Sequence, residues 1–317
     1  MIKALLIGCG NIGAGYDLDD DTKVWTHAKA YSLRKDISLT VFDEDHGRAS
    51  MIASKYGAQQ LDKWDEIFLS QFDIVSITTP TTTHFDYLYK GISRNVPVII
   101  CEKPVVENID DAEKLEILYN SGKTRILVNY IRRFQPAYAT AKDRLQALEK
   151  QQSLKAIIIK YKRGFLNNAS HALDLLEFFF ETPCNFADFY CSAFEFDAFD
   201  YDPTLTGSCK YMELPVSFIG TTGTSYGVFE MELFFGKAKV VVCHSGNDIR
   251  YYYEQNGHLK ENISEKQSGI LDDYMIPVIK KATGYLKNKN EPDNFMQAVE
   301  LNKKIIHVIS GLGKKVS

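Results

Sequence analysis

A glycine-rich pattern near the amino terminus is the first feature that could do chemistry. The segment Gly8-Cys9-Gly10-Asn11-Ile12-Gly13 has the form G-x-G-x-x-G and directly follows a predicted strand, Ile2–Ile7. Glycines at these positions allow a tight turn and a close approach of the backbone to a pyrophosphate at the amino end of the following helix. The pattern predicts a dinucleotide site, with a glycine-rich turn that binds no ligand as the alternative.

A carboxylate ends the second predicted strand, Ile37–Phe42. Asp43 can accept hydrogen bonds from both hydroxyls of a ribose and would repel a 2′-phosphate, which favours NAD over NADP. An aspartate that only caps the next helix is the alternative. Asp43 follows Gly13 by 30 residues, against the roughly 20 of the usual fingerprint, so about ten residues are inserted.

The inserted segment, residues 14–26, is rich in carboxylates: Asp17, Asp19, Asp20 and Asp21. Because four carboxylates facing a pyrophosphate would be unfavourable, we expect them to face solvent or a partner chain. Tyr16 and Trp25 in the same segment could instead form a lid over cofactor or substrate.

A lysine follows the predicted strand at residues 96–101, in the tripeptide Glu102-Lys103-Pro104. Ligands bind at the carboxyl ends of parallel strands, so Lys103 can point at the reacting end of a nicotinamide. A second polar loop, after the predicted strand at residues 73–78, reaches the same edge and contains Thr78, Thr79, Pro80 and His84. A solvated lysine paired with Glu102 is the alternative.

A histidine and an aspartate lie on a helix predicted over residues 168–180. If Asn167 or Asn168 caps this helix, His171 lies in its first turn, where the positive end of the helix dipole keeps the ring neutral as a base. Asp174 lies three residues further on, on roughly the same face. The alternative is a core helix whose polar groups are satisfied and structural.

In their order along the chain, these motifs resemble the Gfo/Idh/MocA family of oxidoreductases, which includes glucose-fructose oxidoreductase and inositol dehydrogenase. The resemblance rests on the glycine pattern, Thr79-Pro80 with His84, Glu102-Lys103-Pro104, Arg133-Phe134 with Pro136, and His171 with Asp174. It covers the whole chain and implies that Lys103 contacts the reacting hydroxyl and that His171 is the base. Many members have Asp and Gly where this chain has Asn167 and Ala169, which would weaken or retune the proton relay.

The resemblance implies NAD(H)-dependent hydride transfer to or from a hydroxyl-bearing or keto carbon of a sugar, without a metal. The amino-terminal glycine pattern and the insertion after it are similar to those of family members encoded with surface-polysaccharide enzymes. This resemblance favours a nucleotide-linked sugar as the substrate over a free sugar or a cyclitol such as inositol. The candidate substrate ligands are Asn167, Asp174, Arg133 and Lys162, the last two in basic strand ends that could equally be solvated. A non-catalytic dinucleotide-binding regulator or scaffold remains the alternative class.

The elements that must position these residues fall into two parts. Up to about residue 130, β-branched runs alternate with amphipathic segments, which predicts an α/β Rossmann domain with a doubly wound parallel sheet. The helix Ile109–Ser121 has a capping residue, Asn108, and a glycine, Gly122, in the place of a left-handed C′ residue. Beyond about residue 150 the pattern predicts an α+β domain with a large open, mainly antiparallel sheet. We predict domains at residues 1–124 and 125–317.

Composition excludes several other classes of protein. The 37 Lys and Arg residues against 41 Asp and Glu argue against a general nucleic-acid binder. Apolar stretches fall short of a membrane span or a signal peptide core, and the six scattered cysteines lack a C-x-x-C pair, which predicts a cytoplasmic protein with reduced thiols. The open sheet would leave an apolar face, so a homodimer or homotetramer is expected.

Overall fold

The computed structural model describes residues 1–288 and 290–312. The chain divides into two compact units, residues 1–134 with 272–300 and residues 135–271 with 301–312. The sequence predicts a division after residue 124, whereas the structure places it after Phe134, because the strand that begins at Arg125 pairs within the first unit's sheet. Residues 272–300 also return to the first unit.

The first unit contains a six-stranded parallel sheet. Its strands are β1 (Ile2–Ile7), β2 (Ile37–Phe42), β3 (Gln59–Gln60), β4 (Ile74–Ile77), β5 (Val98–Cys101) and β6 (Arg125–Val128). Their spatial order is β3-β2-β1-β4-β5-β6, the order of doubly wound nucleotide-binding sheets. The predicted Rossmann sheet is confirmed.

The second unit contains an eight-stranded sheet. Its strands are β7 (Leu154–Tyr161), β8 (Tyr190–Glu195), β9 (Thr204–Tyr211), β10 (Leu214–Gly220), β11 (Phe229–Phe235), β12 (Ala238–Cys243), β13 (Asp248–Gln255) and β14 (His258–Glu261). The order is β14-β13-β12-β11-β7-β10-β9-β8, and every pairing is antiparallel except that of β7 with β10. The predicted large, mainly antiparallel sheet is therefore confirmed.

The described α-helices lie between and after these strands. They are α1 (His27–Ser32), α2 (His46–Tyr56), α3 (His84–Ser93), α4 (Ile109–Ser121), α5 (Pro136–Gln152), α6 (Ser170–Phe180), α7 (Met275–Lys287) and α8 (Phe295–Leu312). The sequence patterns above did not predict α5. A short 3-10 turn, Glu66–Gln71, precedes β4. None of the described helices is long and apolar enough to cross a membrane.

Local chemistry explains where several helices begin and end. The Asp45 carboxylate accepts a hydrogen bond from the backbone N–H of Arg48 at the start of α2, which ends at the left-handed Gly57. Asn108 caps α4, as predicted. Gly122 was predicted to be left-handed, and this is wrong: its φ of −100° and ψ of −176° are extended, so the chain leaves α4 directly towards β6.

Buried apolar residues cover both faces of the first sheet and one face of the second. In the first unit, Leu6 packs in one cluster with residues of α1, α2 and α7, while Ile7 packs in another with residues of α3 and α4. In the second unit, β-strand residues alternate inwards against α5 and α6. The outer face is not simply apolar, since Lys160 lies 2.8 Å and Lys239 lies 3.3 Å from carboxylate oxygens of Glu232.

Candidate active site

The glycine pattern forms a tight turn at the carboxyl end of β1. Gly8 has a φ of +93°, and its N–H donates to the carbonyl of Phe42 over 2.8 Å. A Cβ on Gly13 would lie 2.2 Å from the carbonyl oxygen of Gly8, so the third glycine permits the close return of the chain. A Cβ on Gly10 would meet no atom of the described chain within 4 Å. Gly10 thus leaves open space where a pyrophosphate could approach the backbone.

A cavity of about 480 Å³ opens beside this turn, within the first unit. Eight predicted cofactor residues line it: Gly8, Gly10, Asn11, Ile12, Asp43, Thr78, Thr79 and Pro80. Tyr16, named above as a possible lid residue, also lines the cavity. Further lining residues that the sequence analysis did not single out are Glu44, Arg48, Thr83 and Tyr87. Gly13, His84, Glu102 and Lys103 were also predicted as cofactor residues, but they are not among the described residues that line this cavity.

Thr78 holds the glycine turn in place from the neighbouring strand end. Its hydroxyl lies 2.6 Å from the carbonyl oxygen of Gly8 and 3.0 Å from that of Ile7. Because the hydroxyl has one proton, it donates to these backbone acceptors in turn. Thr78, the residue after β4, therefore supports the glycine turn and also lines the cavity.

Asp43 is buried and held in a fixed orientation. One carboxylate oxygen accepts from the N–H of Cys9 over 2.7 Å, and the other accepts from the N–H of Asp45 over 2.8 Å. Arg48, on the first turn of α2, has its guanidinium 3.4 Å from the same carboxylate. Each carboxylate oxygen has a second lone pair, so Asp43 can still accept a ribose hydroxyl.

Glu102 and Lys103 lie at the end of β5, where Glu102 is buried and Lys103 is half-buried. Oxygen Oε1 of Glu102 lies 3.0 Å from Nε2 of His27 and 2.6 Å from Nδ2 of Asn129. Burial by itself raises the pKa of the Glu102 carboxyl, but hydrogen bonds from His27 and Asn129 and the charge of Lys103 outweigh it and leave the pKa below its usual value. The Glu102 side chain is therefore a carboxylate at neutral pH.

His84 is buried, and both its ring nitrogens face backbone carbonyls. Nδ1 lies 2.8 Å from the carbonyl oxygen of Pro104, and Nε2 lies 2.9 Å from that of Thr79. Burial lowers the pKa of the ring, against the opposing effect of these carbonyls. His84 therefore joins the two polar turns and positions them, where the sequence analysis predicted a cofactor contact.

The acidic insertion is anchored by one of its own carboxylates. Asp17 is buried and accepts hydrogen bonds from the N–H groups of Trp25, over 2.6 Å, and Thr26, over 2.9 Å, as well as from the Thr26 hydroxyl, over 2.7 Å. The expectation that all four carboxylates face solvent or a partner is therefore wrong for Asp17, although Asp19 and Asp21 are exposed. Thr26 then caps α1 by accepting from the backbone N–H of Lys29.

His171 lies in the first turn of α6, as predicted, but neither Asn167 nor Asn168 caps this helix. The Nδ2 atom of Asn168 donates to the carbonyl of Lys162 over 2.7 Å, and that of Asn167 lies 3.4 Å from the carbonyl of Arg163. The N-cap position is Ala169, whose side chain cannot accept a hydrogen bond. His171 is buried with its ring edge-on to Phe229, 6.2 Å between centroids.

Asp202 organises the turn before α6, and sequence reasoning missed it. Its carboxylate oxygens accept from the N–H groups of Leu166 and Asn167, each over 2.7 Å. Gly164, with a φ of +88°, leaves room for this carboxylate, since a Cβ there would lie 2.0 Å from Asp202. The fully buried Asp202 thereby fixes the segment that presents Asn167 and His171.

The remaining candidate substrate ligands are distributed over both units. In the first unit, Arg133 lies in a short 3-10 turn and donates to the side chain of Gln297 over 2.9 Å. In the second unit, Lys162 donates to the carbonyl of Thr224 and lies 3.3 Å from that of Tyr226. Asp174 is buried on α6. Arg133 and Lys162 thus bind neighbouring segments within their own units.

Cys243, His244 and Asp248 bring one potential metal-ligand atom each to within 4.8 Å of one another in the second unit. The Asp248 carboxylate already accepts from Nδ1 of His244 over 2.9 Å. It also lies 3.3 Å from Arg250 and 3.7 Å from Lys266. These cations compensate its charge, which weakens the trio as a cation site.

The chain is similar to known oxidoreductases in both sequence and fold. It is 30% identical over 155 residues to scyllo-inositol 2-dehydrogenase (NAD(+)) of Bacillus subtilis, covering 47% of this chain and 41% of that one. It is 30% identical over 111 residues to UDP-N-acetylglucosamine 3-dehydrogenase of Acidithiobacillus ferrooxidans, covering 35% of this chain and 34% of that one. The chain thus spans less than half the length of these curated relatives.

Over its full length the chain shares a fold with solved structures. The structure of UDP-N-acetylglucosamine 3-dehydrogenase from Acidithiobacillus ferrooxidans superposes with a TM-score of 0.74 at 16% identity, covering 98% of this chain and 96% of that one. The family model GFO_IDH_MocA, described as an oxidoreductase family with an NAD-binding Rossmann fold, matches residues 2–130. Over these residues, which are less than half of the chain, it is similar to the Gfo/Idh/MocA family of oxidoreductases.

Proposed function

We propose that the protein is an NAD(H)-dependent oxidoreductase acting on a hydroxyl-bearing or keto carbon of a sugar. The observation that carries the proposal is the cavity lined by the glycine turn, Asp43 and the Thr79-Pro80 turn. Strand β5, which pairs with β4 in the same sheet, ends at Cys101, two residues before Lys103. When bound, the nicotinamide would accept or donate a hydride. The residues proposed to hold the dinucleotide are Gly8, Gly10, Asn11, Ile12, Asp43, Thr79 and Pro80.

Asp43 supports NAD over NADP as the cofactor. Its buried carboxylate would meet a 2′-phosphate with a like charge, whereas a ribose hydroxyl can donate to it. Arg48 is the nearby cation that could favour NADP, but its guanidinium already lies 3.4 Å from both Asp43 and Asp45. We therefore expect tighter binding of NAD.

Lys103 and His171 have separate proposed roles in the reaction. Lys103 donates a hydrogen bond to the reacting oxygen and stabilises the charge that develops there. His171 accepts the hydroxyl proton in the oxidation direction and returns it in reduction. Asp174, three residues beyond His171 on α6, supports the ring or binds the sugar.

A nucleotide-linked sugar, as used in surface-polysaccharide synthesis, is the proposed substrate class. The amide of Asn167 can bind a sugar hydroxyl, and Arg133 and Lys162 can bind phosphate oxygens. One relative is named for a UDP-linked sugar and another for an inositol, which supports an activated sugar and a cyclitol respectively. A free sugar or cyclitol is therefore the alternative substrate.

A homodimer or homotetramer remains part of the proposal. The edge region of the second sheet exposes large side chains, with Tyr190 at 64% and Phe194 at 42% on β8 and Ile219 at 41% on β10. A second subunit could cover them.

Mass spectrometry of nucleotide released from the purified protein, followed by a screen of nucleotide sugars, free sugars and cyclitols at the nicotinamide absorbance, tests this function. We expect NAD or NADH in the protein, tighter binding of NAD than of NADP, and turnover with at least one nucleotide sugar. Equal affinities would contradict the assignment of Asp43. Tight nucleotide without turnover across the whole panel would favour a non-catalytic regulator or scaffold.

Replacing His171 by alanine should lower kcat by about 10²-fold, at the low end for a lost general base, because Asn167 stands where many relatives have a carboxylate. The affinity for NAD should not change, since His171 is not among the residues proposed to hold the dinucleotide. His307→Ala, at an exposed position of α8, is the matched control. Wild-type turnover in His171→Ala would assign the base to another residue.

A further inference from the structure

Three consecutive residues of the second unit, 202–204, accept hydrogen bonds from the first four N–H groups of the helical turn that leads into α6. Two of these bonds join the Asp202 carboxylate to the N–H groups of Leu166 and Asn167, each over 2.7 Å. A helix leaves its first four N–H groups without an intrahelical acceptor, and a capping side chain usually satisfies one of them. Here a distant segment of the chain satisfies all four.

The other two bonds go to the next two residues of the same segment. The N–H of Gly164 donates to the hydroxyl oxygen of Thr204, and the N–H of Phe165 donates to the carbonyl of Pro203, each over 2.9 Å. The Thr204 hydroxyl in turn donates to the carboxylate of Asp197 over 2.7 Å. Because a hydroxyl has only one proton, this bond leaves the Thr204 oxygen to act as an acceptor for the helix.

The backbone before α6 requires a cap from a distance. The residue at the N-cap position of the turn, Gly164, has no side chain, and its φ of +88° is outside the extended region that capping residues adopt. A Cβ at this position would collide with the carboxylate of Asp202. The glycine therefore makes room for a carboxylate that comes from the other end of the segment between β7 and β9.

This distant cap fixes the part of the chain that carries the proposed base. The turn is a wide one, since the N–H of Ala169 donates to the carbonyl of Gly164, five residues earlier, over 3.3 Å. Turns of this π type are rare and are frequent at functional sites. His171 is the second residue of α6 and lies about one helical turn beyond Asn167. A shift of the capped N–H groups would therefore move the His171 ring with them.

We propose that Asp202 is a positioning residue of the reaction: by capping the turn before α6, it sets where the ring of His171 and the amide of Asn167 stand. This inference deepens the proposed function, on which the role of His171 as the base rests. Asp202 is fully buried and binds backbone N–H groups, so it acts through His171 and not on the sugar. Truncating its side chain would leave the N–H groups of Leu166 and Asn167 without these acceptors.

The ring signal of His171 in a nuclear magnetic resonance spectrum tests the proposal without cofactor or sugar. The whole protein is isotopically labelled in its histidine rings, and the His171 signal is identified by its absence from the spectrum of His171→Ala. Asp202→Ala should move this signal, because the start of the helix relaxes once two N–H groups lose their acceptors. Asp200→Ala, at an exposed position two residues earlier, is the matched control and should leave the signal in place.

Gly164→Ala disturbs the same contact from the other side. Its Cβ would displace the Asp202 carboxylate, so the His171 signal should move even though every acceptor group is still present. Gly257→Ala is the matched control, because Gly257 also has a positive φ, +80°, but a Cβ there would meet no described atom within 4 Å. A His171 signal that stays in place in both Asp202→Ala and Gly164→Ala would overturn the proposal.

Turnover separates a role through His171 from a general loosening of the fold. Asp202→Ala should lower kcat by about 10-fold, since misplacing a reacting group by about 1 Å can cost up to about 10²-fold. In the His171→Ala background the same change should lower kcat by no more than about 2-fold, because no base remains to be misplaced. Losses in kcat that multiply in the double variant would contradict the proposal.

A conservative variant keeps the test sharp if Asp202→Ala fails to fold. Asp202→Asn keeps the size of the side chain and one acceptor oxygen but loses the other, so the His171 signal should still move. An unmoved signal in Asp202→Asn would then overturn the proposal. Movement of the signal in a protein that turns over no sugar or cyclitol would refute the proposed function alone. Turnover with an unmoved signal would refute only this inference.

Discussion

Replacing Lys103 by methionine should lower kcat by about 10²- to 10³-fold, the usual loss when one donor to a developing oxyanion is removed. Methionine keeps the length and the apolar stem of the side chain but has neither the charge nor an N–H group. Lys103 is half-buried, two residues beyond the end of β5, and is not among the described residues that line the cavity beside the glycine turn. Its loss should therefore fall on the chemical step and leave the affinity for NAD unchanged.

The measurement is steady-state turnover with the sugar found in the screen, alongside NAD titration by calorimetry. Lys114→Met is the matched control, because Lys114 is exposed on α4 of the same unit, with 61% of its side chain accessible. Full turnover in Lys103→Met would remove this residue from the reaction. Loss of NAD binding together with turnover would show that Lys103 supports the fold or the cofactor instead.

Much of the candidate nucleotide site could be predicted, because the residues that form it belong to short local patterns. The glycine pattern, Asp43 and the Thr79-Pro80 turn each follow directly after a strand, and parallel topology brings strand ends to one edge. Asp45 and Asn108 cap their helices through contacts three residues away, so they too can be recognised from short patterns. Eight of the predicted cofactor residues line the cavity for this reason.

Contacts between distant parts of the chain could not be predicted in the same way. Asp202 binds backbone groups 35 and 36 residues earlier, and His27 meets Glu102 across 75 residues. A lone histidine after an acidic loop has no local pattern that indicates a buried partner. The return of residues 272–300 to the first unit is also invisible locally, because α7 and α8 are amphipathic whichever sheet they cover.

Two further differences between the predictions and the structure concern local patterns, those of α5 and of the acidic insertion. Helix α5 has two signals that indicate a helix: Pro136 at its first position, and buried residues spaced three and four apart. Polar residues on both sides of this narrow buried stripe obscure the pattern. In the acidic insertion, charge density suggested solvent, but a carboxylate that accepts three hydrogen bonds can be buried. Asp17 shows that the hydrogen-bond partners decide the outcome.

Adding a single methyl group at Gly13 should disrupt the nucleotide cradle more than any other change of that size in the turn. The Cβ of Gly13→Ala would lie 2.2 Å from the carbonyl oxygen of Gly8 and 2.9 Å from the hydroxyl of Thr78. Because the first of these is backbone, the turn itself must move. Overpacking of this kind costs about 1–3 kcal/mol of unfolding free energy, and a loss of the same size in binding free energy corresponds to a decrease of about 5- to 150-fold in NAD affinity.

Two further alanine variants separate the effect of a methyl group on the free energy of unfolding from its effect on NAD affinity. Gly10→Ala places a Cβ where no described atom lies within 4 Å, so the free energy of unfolding should be preserved while NAD affinity falls, if the pyrophosphate occupies that space. Gly284→Ala, on α7 of the same unit, also has open space and should preserve both quantities. Urea unfolding and NAD titration of all three variants measure the difference. Unchanged NAD affinity in both Gly10→Ala and Gly13→Ala would place the dinucleotide elsewhere, because a ligand cradled by this turn must respond to either methyl group.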